Sequence, residues 1–178
     1  MGRTTAPKVL AGLGFACLTA NLAFLAAAGG SAIAEPQTRF GSAAVLLVGD
    51  SFPPATKALF TQAASGNPRA QTTLGYLYEY GRSVPQNYVT AVDWYQAAAE
   101  QGDANGQYLL GLMYEKGHGV PQSETLAYMW LNLATAHAAP RDRDYFAHVR
   151  DAVANKLTPA QMGDAQWLAA HFIPKASP

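Results

Sequence analysis

Apolar and polar positions recur along this chain at a step of 36 residues. Leu74, Gly75 and Tyr78 return as Leu110, Gly111 and Tyr114, and Gly81 returns as Gly117. Val84-Pro85-Gln86 returns as Val120-Pro121-Gln122. Ala91, Trp94, Tyr95 and Ala98 return as Ala127, Trp130, Leu131 and Ala134. Ala70 and Gln71 fall on Gly106 and Gln107, and Gly66 falls on Gly102, so Ala55 to Asn67 reads as a worn copy of Ala91 to Asp103. A period of this length marks a stack of small helical units, none of which buries its apolar face alone.

Each unit reads as two antiparallel helices. The repeated positions of the first are i, i+4, i+5 and i+8, one face of a helix, which predicts helices from about Ala70 to Tyr80 and from Asn105 to Lys116. Gly75 and Gly111 stand inside these helices, where glycine costs about 1 kcal/mol against alanine. Their return in both copies points to a neighbouring helix that passes too close for a Cβ. Gly81 and Gly117 follow the helices, where a left-handed cap favours glycine. Pro85 and Pro121 stop the helix from continuing. Asn87 and Ser123 are good caps for the second helix, whose Ala91, Trp94, Tyr95 and Ala98 form one apolar stripe.

The glycine-flanked His118 in LGLMYEKGHGVPQ looks at first like part of a ligand loop, but the repeat makes this segment a helix-to-helix turn. His118 has no partner at metal-ligand spacing. Beyond the second unit, Arg141 to Asn155 takes the place of a third first-helix, with Phe146 and Ala147 in register. Thr158-Pro159-Ala160-Gln161 is a capping box with proline at the first helical position. It opens a last helix whose Met162, Ala165, Leu168, Ala169 and Phe172 cover the end of the stack. The expected fold is thus all-α: a short, right-handed α-solenoid with a C-terminal helical cap.

The pattern A-x-x-x-L-G-x-x-Y-x-x-G-x-G-V followed by A-x-x-W-Y-x-x-A-A-x-x-G-D-A resembles the Sel1-like repeat, a relative of the tetratricopeptide repeat. Here it is carried by Leu110, Gly111, Tyr114, Gly117, Gly119 and Val120, with Ala91, Trp94, Tyr95, Ala98, Ala99, Gly102, Asp103 and Ala104. Ser83 replaces the second loop glycine in one copy, and Gly106 replaces the helix-start alanine in the other. The resemblance implies a solenoid that binds other proteins, often in export, envelope or signalling roles, with no catalytic residues and no cofactor.

The N-terminus changes the picture of where such a protein works. Arg3 and Lys8 precede an uncharged, mostly apolar run, and Ala32-Ile33-Ala34 ends it in the small-x-small pattern of a signal peptidase site. Residues 1–34 therefore read as a secretory signal, which places the mature chain, from Glu35, in the periplasm or outside the cell. The alternative is an uncleaved membrane anchor over residues 9–34, a run long enough to span a bilayer. Residues 35–54 form a lead-in, 55–138 the repeat region and 139–178 the cap. Cys17, the only cysteine, lies in the signal, so the exported chain relies on its core rather than on disulfides. With Arg3 and Lys8 removed, ten basic side chains face twelve acidic ones, which gives no electrostatic case for nucleic acid or an anionic membrane surface.

Val45 to Ser51 ends in Gly49-Asp50-Ser51, which resembles the strand-then-GDS opening of the SGNH hydrolases. That chemistry needs a base held by an acid. The nearest match, Asp144 with His148, is one residue too widely spaced and sits in a repeat-derived helix. The expected function is interaction: an adaptor, scaffold or regulatory module that docks a protein or peptide. A cell-envelope hydrolase and a cell-wall-binding structural protein are the alternatives. At about 100° per residue, Thr73, Tyr76 and Tyr80 face away from the core stripe of one first helix, and Leu109, Leu112 and Lys116 from that of the other. First helices line the concave side of such stacks, so these six residues are the expected docking strip.

Overall fold

The computed structural model describes residues 52–175, and every regular element among them is an α-helix. In chain order these are α1 (Pro54–Ala64), α2 (Pro68–Tyr80), α3 (Tyr88–Glu100), α4 (Ala104–Lys116), α5 (Glu124–His137), α6 (Pro140–Ala154) and α7 (Pro159–Ala170). The signal-like residues 1–34 and the segment ending in Gly49-Asp50-Ser51 lie outside the described residues. Each of α1 to α5 packs on its successor, α2 also packs on α4, and α7 lies on α5. This is a solenoid of helix pairs, closed at one end by α6 and α7.

Local chemistry sets the boundaries. Asn67 caps α2 by accepting from the Arg69 and Ala70 amides, and Asp103 caps α4 by accepting from Gly106. These caps start both helices earlier than the apolar pattern alone suggests, at Pro68 and Ala104. Proline suits the first turn of α2, where its missing N–H has no partner to lose. Asn87 and Ser123 cap α3 and α5 through the amides of Thr90 and Leu126. Gly81 and Gly117 end α2 and α4 in the left-handed region, at φ 65° and 70°. The Thr158 capping box opens α7.

The two mid-helix glycines mark close helix approaches. A Cβ on Gly75 would lie 2.6 Å from the ring of Tyr95 and 3.1 Å from the Ala91 carbonyl. One on Gly111 would lie 2.9 Å from Leu131 Cγ and 3.2 Å from the Ala127 carbonyl. Each bare backbone lets a large side chain of the paired helix sit fully buried, as Tyr95 and Leu131 do. At about 25 cal/mol per Å² of apolar surface, that burial more than offsets the glycine's poor helix propensity.

A polar bridge repeats in the same register. Gln71 and Gln107 are buried, and each donates its side-chain amide to a carbonyl of the preceding unit's second helix, at Ala63 and Ala99, 3.1 Å in both cases. Each also meets a side chain at the end of its own unit's second helix. Gln101 donates to Gln71 Oε1 at 2.7 Å, and His137 Nδ1 lies 2.9 Å from Gln107 Oε1. Because Gln107 offers only an acceptor there, His137 carries a proton on Nδ1. One glutamine per unit thus ties three helices together.

The far end is fastened by the tail after α7. Met162 and Ala165 pack with Leu131 and Val153, while Leu168, Ala169 and Phe172 reach the cluster built on Tyr95, Leu110 and Trp130. Lys175 then donates its amide to the Glu100 carbonyl at 2.7 Å and its ammonium to the Glu100 carboxylate, at the end of α3.

Candidate docking surface

The loop around His118 is an inter-unit contact. A Cβ on Gly119, at φ 75°, would lie 2.5 Å from the Tyr88 carbonyl oxygen. His118 stacks on the Tyr88 ring with centroids 4.6 Å apart. The loop thus rests on the start of α3. At the matching position of the first unit Ser83 adopts φ 63°, the one non-glycine with positive φ among the described residues.

The six strip residues fall as follows. Thr73, Tyr80 and Lys116 are exposed, and Tyr76, Leu109 and Leu112 are half-buried. Thr73 Oγ1 donates back to the Arg69 carbonyl at 2.8 Å. Leu109 packs against the core cluster of Tyr95, Leu110 and Trp130, so it serves the interior as well as the surface. Tyr76 and Tyr80 come together one turn apart on α2, with centroids 4.6 Å apart.

Three further residues are not among these six. The Arg82 guanidinium lies over both tyrosines, 5.4 Å from the Tyr76 centroid and 5.9 Å from that of Tyr80. Glu79 accepts from the Tyr95 hydroxyl at 2.7 Å, and its charge pushes the Tyr80 pKa up. Tyr145 on α6, itself exposed, meets Tyr108 hydroxyl to hydroxyl at 3.2 Å, while Tyr108 stacks on Phe146 at 4.4 Å. Burial, and then the hydrogen bond to Tyr145, raise the Tyr108 pKa, with a smaller push from Tyr80. Tyr145 was reachable from the sequence: it stands one further repeat step beyond Thr73 and Leu109. Arg82 was not, because it lies in a turn whose side-chain direction has no periodicity.

The other candidate chemistry is dispersed. Asp144 and His148 are both exposed on α6, and Ser51 lies outside the described residues. His137 is bound to Gln107, and His171 stacks on Trp167. Among the described residues no group of three metal-ligating side chains converges, and no helix is long and apolar enough to cross a membrane.

Residues 68–103 and 104–137 each match the family model described as the Sel1 repeat. Among solved structures the chain is similar to c5321, a protective antigen present in uropathogenic Escherichia coli strains that displays an SLR fold. Identity is 30% and the TM-score 0.61, over 76% of this chain and 29% of that one. The chain thus spans less than a third of the length of that antigen. It is also similar to a Sel1 repeat protein from Oxalobacter formigenes, at 34% identity and a TM-score of 0.46, over 52% of this chain and 71% of that one. No curated protein matches it. The family model, the repeated helix pair and the shared fold agree, and the chain belongs to the Sel1-repeat family through residues 68–137.

Proposed function

We propose that this protein is an exported interaction module that docks a protein or peptide on the strip formed by Thr73, Tyr76, Tyr80, Leu109, Leu112 and Lys116. Sel1-repeat proteins generally mediate protein–protein interaction, and theirs is a non-catalytic fold. The observation that carries the reading for this chain is the pairing of Tyr76 with Tyr80 at the surface end of α2. Tyrosines are enriched among residues that dominate binding energy, because they offer a rigid apolar face and a polar tip. Export is supported by the Arg3 to Ala34 signal pattern and by the likeness to a protein described as a protective antigen. Neither nucleic acid nor a membrane surface is a partner in this reading, apart from the alternative anchor at residues 9–34.

The test is the double change Tyr76→Ala with Tyr80→Ala in the full chain. Circular dichroism checks the fold, and affinity capture from the native envelope reads the partner. Native helicity with lost capture supports the reading, and native helicity with retained capture removes it. Ester turnover sensitive to Ser51→Ala would instead favour the hydrolase. N-terminal sequencing of the native protein separates cleavage before Glu35 from an anchor that retains Met1 or Gly2.

A further inference from the structure

Charge around the strip is unevenly committed. Glu79 accepts from Tyr95, and Glu115 is paired with Lys156 at 2.6 Å. The cations are free of such ties. Among the described residues neither Arg82 nor Lys116 has an ion pair, and both are exposed. The two occupy the same end of their units, just after α2 and at the end of α4.

Arg82 is also pre-positioned. Contact with two ring faces holds the guanidinium in place, and a guanidinium so held keeps its edge N–H groups available for a carboxylate. A bidentate arginine–carboxylate pair is stronger and more directional than a lysine contact. Ordering the arginine before the partner arrives also lowers the entropy lost on binding. Tyr76, Tyr80 and half-buried Leu112 supply apolar surface beside the charge. A nucleic acid or other polyphosphate would call for a larger basic field than two cations on a chain with 12 basic and 12 acidic side chains.

We infer that the partner segment is acidic: a peptide that sets a carboxylate on Arg82, clamped by Tyr76 and Tyr80, with a second acid toward Lys116 and an apolar residue near Leu112. This rests on the docking reading above and specifies its ligand chemistry.

The test is selection of random peptides displayed on phage against the immobilised full chain, followed by affinity measurements on the selected peptides. Selected sequences are expected to be several-fold richer in Asp and Glu than the starting library. Arg82→Gln should weaken their binding about 10- to 100-fold, the range for a charged hydrogen-bonding partner. Arg82→Lys should restore only part, and added salt should weaken the wild-type complex more than that of Arg82→Gln. Selected peptides that are neutral or basic, yet released by Tyr76→Ala, would overturn the acidic partner and leave the docking strip standing. Acidic peptides indifferent to Arg82→Gln would also overturn it. If strip substitutions release no selected peptide, both readings fall.

Discussion

The carbonyl oxygen of Tyr88 stands 2.5 Å from the point a Cβ on Gly119 would occupy. Two backbones, one from the turn of the second unit and one from the start of α3, therefore meet with no room for a side chain. The loop that looks most like a ligand site is a contact between successive units.

Equivalent loop positions should respond in opposite directions. Gly119→Ser should cost about 2–4 kcal/mol, combining left-handed strain with overpacking against fixed backbone. Ser83→Gly relieves strain of about 1–2 kcal/mol and adds glycine's greater unfolded-state freedom, about 0.5–1 kcal/mol, so its net effect is a gain of up to about 1.5 kcal/mol. Urea midpoints of the two variants against the parent decide this. A loss at Gly119 matched by an equal gain at Ser83 would show that φ alone matters, and a loss at both sites would contradict the argument.

Gly111→Val should destabilise by about 1–3 kcal/mol, because Leu131 and the Ala127 carbonyl both face the new side chain. The melting temperature should fall by several degrees. Gly163, with nothing within 4 Å of its virtual Cβ, is the internal control, and Gly163→Ala should be neutral or slightly stabilising.

Replacing Gln107 with Leu should cost about 1 kcal/mol, since the buried Ala99 carbonyl loses one of its two donors and exposed His137 loses its partner on α4. Adding His137→Leu to that variant should cost less than the two single changes taken together. A double-mutant cycle from denaturant unfolding measures the coupling, and strict additivity would contradict the bridge.

Alkaline pH should unfold the protein through its tyrosines. Burial raises the Tyr78, Tyr95 and Tyr108 pKa values above the ordinary 10.0. The folded state therefore holds these protons more tightly than the unfolded chain does. That stability is fully present below about pH 10 and is lost as pH rises above it, because only the unfolded chain readily releases the protons. Tyrosinate absorbance followed together with circular dichroism should show these phenols ionising as the helices melt. Full ionisation with the helices intact would contradict the burial.

The repeat and its turns were legible because they are local chemistry. Gly81 and Gly117 announce left-handed caps, Thr158 and Gln161 announce a capping box, and the structure has all of them. Gly75 and Gly111 also announced a close helix, although not that Tyr95 and Leu131 would fill the space. Helix starts were less legible, since Asn67 and Asp103 act through cap hydrogen bonds that an apolar stripe does not encode. Gln71 and Gln107 were visible as a repeat without a reason, because their partners stand 30 residues further on. At the candidate strip the sequence offered Tyr76 and Tyr80 but not Arg82, whose place over their rings depends on the path of a turn. It could not show that Leu109 also packs inward.

The tail bond from Lys175 to Glu100 joins residues 75 positions apart in sequence. A linear array of units, each touching only its neighbours, has free ends and can fray from either one. Here the last residues described reach back past α5 to α3, so the chain closes a loop upon itself. Releasing α7 then means also releasing its hold on the first complete unit. The C-terminal end is held like a strap buckled halfway along the stack, and it opens only when its grip on α3 is released.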